Sequence, residues 1–159
     1  GRVSFMKILF VCTGNTCRSP MAEAYFRNLC TKRGMKDVVV ASAGVAAVNG
    51  SPPSRQGVEA LKRLGVPAAT GGSSETTREL AEEADLILAM TATHEATLAG
   101  RFPTADAKIH LLLDFADETG DVADPYGGTV AEYTACLRGM IPALDKLAEV
   151  VQDSLREPA

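Results

Sequence analysis

The segment Cys12-Thr13-Gly14-Asn15-Thr16-Cys17-Arg18-Ser19-Pro20 has the residue types and spacing for nucleophilic chemistry on an anion. It reads C-x5-R-S. Five intervening residues are enough to curl the backbone into a ring with its N–H groups turned inward. Gly14 and Asn15 tolerate the unusual φ values such a ring demands. Inward amides at a helix N-terminus form an anion site. The planar fork of Arg18 can clamp two oxygens of a phosphoryl group. The same field acts on Cys12. A free thiol has a pKa near 8.5, and a helix N-terminus with a nearby cation lowers it to roughly 3.5–7.5. A shift of about 3 units is worth roughly 4 kcal/mol in favour of the thiolate. Cys12 could then attack without a histidine partner, and Ser19 could donate a hydrogen bond to the sulfur.

A lone C-x5-R also fits a buried structural cysteine beside a surface arginine. The apolar run before it, the Gly-Asn pair and Ser-Pro at a helix start turn the reading toward a phosphate loop. The loop lacks G-K-[ST], which excludes a nucleotide-binding Walker loop. A nucleophilic phosphatase also needs an acid to protonate the leaving group. Asp124, in Asp124-Pro125-Tyr126-Gly127-Gly128, is the candidate, because Pro125 restricts the backbone and can fix its direction. Asp-Pro is also a common turn, and Asp114, Asp117, Glu118 and Asp121 lie in the same stretch.

The elements that must position these residues follow from the apolar pattern. Met6 to Val11 is a nearly continuous apolar run, expected as a strand buried on both faces. Pro20 opens a helical pattern through Met21, Ala24, Tyr25 and Leu29, with Ser19 as N-cap and Gly34 as stop. Val38 to Val40 is a second strand. Pro53 to Leu64 is helical, with Val58, Leu61 and Leu64 on one face and Gly65 ending it. A short helix spans Arg78 to Ala84, a third strand Asp85 to Met90, a helix Thr91 to Ala99, and a fourth strand Lys108 to Leu113. Asp114 to Gly128 is a long loop. A last helix runs from Thr129 to about Leu155 with a bend expected at Pro142. Alternating strands and helices predict an α/β fold, doubly wound, with a four-stranded parallel sheet and helices on both faces. Ligands of such folds lie beyond the carboxyl ends of the strands, here the loops after Val11, Met90 and Leu113.

Composition narrows the function classes. The chain has 159 residues, four cysteines, two histidines and no tryptophan. The length fits one domain. Residues 1–5 precede Met6 and are read as an expression remnant, leaving residues 6–159 as a single domain. A net charge of −4 argues against a nucleic-acid footprint. No apolar run approaches the roughly 18–20 residues of a membrane helix. Cys12, Cys17, Cys30 and Cys136 contain no CxxC pair, so no metal is expected. No signal segment follows Met6, so the cytoplasm is expected, where thiols stay reduced. His94 is read as a surface helix residue, and His110 as a strand residue alternating with Ile109 and Leu111.

The run from Val11 to Ala24, Ser42-Ala43-Gly44, the strand from Ala84 to Met90 and Asp124-Pro125-Tyr126 resemble the low-molecular-weight protein tyrosine phosphatase family, in order and spacing, over nearly the whole chain from Met6. The resemblance implies a phosphatase acting through a phosphocysteine, with no cofactor and no metal. Its partners would be a phosphorylated protein substrate and a phosphate-like oxyanion, and the enzyme is expected to be monomeric. Carried over, Cys12 is the nucleophile, Arg18 the phosphate clamp and Asp124 the general acid, later the base for water. Thr13, Gly14, Asn15, Thr16, Cys17, Arg18 and Ser19 would bind phosphate. Cys17 resembles the family's redox partner for Cys12. The loop resembles the bacterial arginine phosphatase branch, which has threonine where Thr16 stands. Tyrosine-specific members wall the pocket with aromatic residues, but positions 46–48 here are Ala-Ala-Val, and Gly127-Gly128 follow Tyr126. Thr16 and Tyr126 are thus the substrate-pocket residues, and phosphoarginine is favoured over phosphotyrosine.

One departure concerns support of the loop. Family members usually carry a histidine after the second helix, where Gly71 or Gly72 stands here. Asn15, Ser19 and Ser42 would have to carry that support. An arsenate reductase would need a resolving cysteine pair, and Cys30 and Cys136 have no close partners. A sugar-transport phosphocarrier would lack the arginine. A papain-like hydrolase would need a supported histidine. A non-catalytic phosphoprotein-binding module is disfavoured by intact Cys12, Arg18 and Asp124.

Overall fold

The computed structural model describes residues 5–118 and 120–156. Residues 1–4 of the segment read as an expression remnant, and Thr119 in the long loop, lie outside the described residues. The strands are β1 (Met6–Cys12), β2 (Val38–Gly44), β3 (Leu86–Ala89) and β4 (Ile109–Leu111). The helices are α1 (Arg18–Lys32), α2 (Arg55–Arg63), α3 (Arg78–Glu83), α4 (Ala92–Arg101) and α5 (Val130–Arg156). The strands form one parallel sheet in the order β2-β1-β3-β4. The order reverses direction beside β1, which puts the loop after Cys12 at the topological switch point.

Alternation along β1 explains the two-layered core. Ile8, Phe10 and Cys12 point to the face covered by α1, α2 and α5, together with Phe26, Leu61, Leu137, Leu144 and Leu147. Leu9 and Val11 point to the opposite face, with Ala81, Ile87, Leu98 and Ala105. A strand buried on both sides has to be apolar, as Ile8 to Val11 are, while Lys7 at the strand's start reaches out to Glu83.

Several boundaries differ from the sequence pattern. α1 starts at Arg18, with Cys17 at the cap and no side-chain cap bond, so Ser19 lies inside the first turn and is fully buried. Its hydroxyl is drawn to Cys12 instead. α1 does stop at Gly34 (φ +68°), and α2 at Gly65 (φ +71°). α2 buries Gly57, Ala60 and Leu61 and leaves Val58 exposed, because small residues allow it to approach Met21 and Tyr133 closely. A Cβ on Gly57 would already meet Met21 Cγ at 3.4 Å. β4 has only three residues before the chain winds into a 3-10 turn from Leu112 to Ala116. α5 continues through Pro142 as one helix of 27 residues.

Candidate active site

The loop between β1 and α1 closes into a cradle because its carbonyls are held from outside. Val45 N donates to Cys12 O (2.9 Å), Ala46 N to Thr13 O (3.0 Å), and Ser54 N to Thr16 O (2.8 Å). The amides of residues 13–17 make no hydrogen bond to any described residue, which leaves them as donors for an anion. Asn15 takes the left-handed conformation at φ +56°. Gly14, expected to share that role, stays out of it. Asn15 can because its amide is fully engaged: Nδ2 donates to Ser19 Oγ and Ser42 Oγ, both at 2.8 Å, and Oδ1 accepts from Ser74 N at 2.9 Å. Ser42 Oγ in turn donates to Glu23 Oε1 at 2.5 Å, and Glu23 is paired with Arg27.

This network replaces a histidine behind the loop. Gly72 lies against Gly50, where a Cβ would come within 2.6 Å of the Gly50 Cα. A cavity of about 210 Å³ beside it is lined in part by Asn15, Glu23, Ser42 and Gly72. Asn15, Ser19 and Ser42 provide the support expected of them. Glu23, with its partner Arg27, was missed. The signal was available, since a charged pair four residues apart lies in a helix that opens with Ser-Pro-Met-Ala.

Cys12 Sγ lies 2.8 Å from Ser19 Oγ. Asn15 Nδ2 already donates to that oxygen, so the Ser19 proton has two acceptors in reach, the sulfur at 2.8 Å and the more distant Ala43 O at 3.4 Å. Arg18 is buried. Its Nη1 donates to Val122 O (2.9 Å), and its Nη2 reaches Thr13 Oγ1 (3.4 Å) and Asp124 Oδ2 (3.6 Å). Arg18 Nε is buried without a partner, and an oxyanion beside it would satisfy that donor. Asp124 is half exposed, and its Oδ1 accepts from Tyr126 N at 3.1 Å. That contact turns the carboxylate back over its own loop.

Cys12, Thr13, Gly14, Thr16, Cys17, Arg18, Asp124 and Tyr126 line one pocket of about 270 Å³. Asn15 and Ser19 lie behind it and act as its support. Asp114, Asp117, Glu118 and Asp121 do not line it. Asp121 instead accepts from Ala92 N at the start of α4. Cys17 Sγ contacts Tyr133 Oη at 3.2 Å. Burial, followed by this contact, raises the Tyr133 pKa. Tyr126 is 79% exposed. A Cβ on Gly128 would approach Pro125 O to 2.8 Å, and Gly127 has φ +78°, so the turn after Tyr126 needs both glycines.

His94 corrects the sequence reading. It is not a surface residue but only 4% exposed, and its Nε2 lies 2.7 Å from Thr13 Oγ1. Its place in the first turn of α4, after β3, brings it to the carboxyl edge of the sheet. His110 lies in a strand between Ile109 and Leu111, as expected, and is exposed there.

The family model described as low molecular weight phosphotyrosine protein phosphatase matches residues 7–157. A protein-arginine-phosphatase of Geobacillus stearothermophilus is 43% identical over 147 residues, spanning 92% of this chain and 96% of that protein. A low molecular weight protein-tyrosine-phosphatase of Staphylococcus haemolyticus is 32% identical, spanning 89% of this chain and 97% of that one. Among solved structures, a mutant of the arginine phosphatase YwlE superposes with a TM-score of 0.87 at 40% identity, covering 92% of this chain and 96% of that one. In that mutant a serine replaces the active-site cysteine and is phosphorylated.

Proposed function

The chain belongs to the low molecular weight phosphotyrosine protein phosphatase family and is a cysteine-dependent protein phosphatase, and from that premise we propose that Cys12, Arg18 and Asp124 hydrolyse phosphoarginine in proteins. The observation that carries this reading is their convergence in one pocket with the unpartnered Arg18 Nε.

In the first step the Cys12 sulfur forms a bond to phosphorus as the P–N bond breaks. Asp124 gives its proton to the departing nitrogen, and the loop amides with Arg18 hold the equatorial oxygens. In the second step water attacks phosphorus, Asp124 takes its proton, and the S–P bond breaks to return the thiolate and release phosphate. Ser19 stabilises that sulfur in both directions.

Polar groups support the guanidinium substrate. The pocket carries a cation, Arg18, for the phosphoryl end and a carboxyl group, Asp124, that can hydrogen-bond the guanidinium nitrogens at the other end. Thr16 lines the wall, and Ala46, Ala47 and Val48 bring no aromatic ring. The similar Geobacillus protein carries the arginine phosphatase name. One observation favours phosphotyrosine instead: Tyr126 is exposed at the same pocket, where a phenyl ring can stack. Matched phosphoarginine and phosphotyrosine peptides decide the matter. The expected outcome is a higher kcat/KM on phosphoarginine, and the reverse order rejects that substrate.

The proposal extends to redox control. Peroxide takes two electrons from Cys12, giving a sulfenic acid, and Cys17 then condenses with it, releasing water and forming a disulfide. It also includes a monomeric enzyme of the cytoplasm, where thiols stay reduced. Among the described residues no helix is long and apolar enough to cross a membrane.

A further inference from the structure

His94 and Arg18 meet the same oxygen. Thr13 Oγ1 accepts from Arg18 Nη2 at 3.4 Å and lies 2.7 Å from His94 Nε2. The His94 Nδ1 is buried and has no partner. A hydroxyl has two lone pairs and one proton, so the tautomer of His94 decides where the Thr13 proton goes. If Nδ1 carried the hydrogen, a donor would be buried with no acceptor, the rarer and costlier kind of orphan. With the hydrogen on Nε2, the imidazole donates to Thr13, and Nδ1 is only a bare lone pair. Arg18 and His94 then occupy both Thr13 lone pairs. The hydroxyl proton has to point away from both, and Thr13 lines the pocket that holds Cys12.

We propose that His94 is a positioning residue that makes the Thr13 hydroxyl an obligate hydrogen-bond donor to the phosphoryl group held by Arg18. The inference rests on the reading of Arg18 as the phosphate clamp. It adds a side-chain donor to the loop amides, set by a residue on a different helix. Burial first, and then the neighbouring Arg18, lower the His94 pKa, while Asp121 and Asp124 oppose them. The net effect favours the neutral ring with a single N–H.

The experiment measures kcat, KM and the competitive Ki of inorganic phosphate for Thr13→Val, Thr13→Ser, His94→Ala, His94→Gln and the double variant His94→Ala/Thr13→Val, with Arg18→Ala as reference. Thr13 is exposed, so Thr13→Val does not open the core. Thr13→Val and His94→Ala are each expected to lower kcat/KM roughly 10–100-fold, the scale of one hydrogen bond to a charged group. The phosphate Ki should weaken in both. Thr13→Ser and His94→Gln, which keep a hydroxyl and a donor, should recover most of the loss. The double variant should match the worse single variant, because both remove one interaction. Thr13→Val within twofold of wild type in both kcat/KM and Ki overturns the inference, as does a multiplicative double variant. Arg18→Ala that retains activity overturns the clamp reading itself, and this inference with it.

Discussion

At the scale of single residues, the leaving group separates the proposed substrates. A guanidine departs poorly without a proton, whereas a phenol with a pKa near 10 departs more readily. Asp124→Asn is therefore expected to lower kcat on a phosphoarginine peptide by roughly 10²–10⁴. It should cost much less on an activated aryl phosphate, and steady-state kinetics on the two substrates read the difference. Equal losses on both would assign Asp124 to binding. Thr16→Ile is expected to move the ratio of kcat/KM values toward phosphotyrosine by removing the pocket hydroxyl, and a parallel fall on both substrates would exclude Thr16 as the selector. Cys12 and Arg18 could be picked out in the sequence because a phosphate loop demands those side chains at a set spacing, whereas the choice of Asp124 among its acidic neighbours leaned also on the family resemblance. His94 could not be picked out. Its burial depends on how α4 packs against a loop 81 residues away, and no local pattern encodes that.

At the scale of elements, the cradle depends on the last residue of β2. A Cβ on Gly44 would lie 2.3 Å from Thr13 O, a backbone atom with little room to yield. Gly44→Ala is expected to cost about 1–3 kcal/mol, the range for overpacking, and to lower kcat/KM by shifting the phosphate loop. A urea melt and phosphopeptide kinetics check the two effects together, and an unchanged urea midpoint would mean the strands can part to admit the methyl. The existence and order of the elements were legible because each apolar run is long enough to bury. Their edges were less so. Ser19 has the type of an N-cap, but the nearby sulfur competes for its hydroxyl. The α2 face looked apolar through Val58, yet close packing against Tyr133 selected glycine and alanine for the buried side. The three-residue overestimate of β4, expected over Lys108–Leu113 and seen as Ile109–Leu111, has its cause in 3-10 turns on both sides, which take Lys108 before the strand and Leu112 and Leu113 after it.

At the scale of the whole molecule, burial of titratable groups shapes the pH range of stability. Burial raises the Cys30 and Cys136 thiols from an ordinary 9.0 to about 11. The unfolded chain loses these protons first, so between pH 9 and 11 the folded chain holds more of them and stability falls as pH rises. His94 shifts the other way. Its folded pKa is lowered from 6.5, so the unfolded chain binds the proton first and stability falls as pH drops below about 6.5. Urea midpoints across pH 5–11 should form a plateau with two falling limbs. Cys30→Ala with Cys136→Ala should flatten the alkaline limb, and His94→Gln the acid one. Limbs unchanged in those variants would assign them to other groups. The doubly wound topology was legible as soon as strands and helices alternated. The supporting network behind the loop was legible only in part: Asn15, Ser19 and Ser42 were named, whereas Glu23 and the Ser74 amide join it only once α1, β2 and the segment around Ser74 come together.

Arg18 Nη1 donates to Val122 O, and Val122 N donates to Met90 O. Val122, two residues before the acid, is thus moored both to the phosphate clamp and to the end of β3. A loop anchored so close to its acid should not need to swing before each turnover. The enzyme's timing should be set by bond making and breaking, and its rate should be nearly indifferent to the viscosity of the surrounding medium.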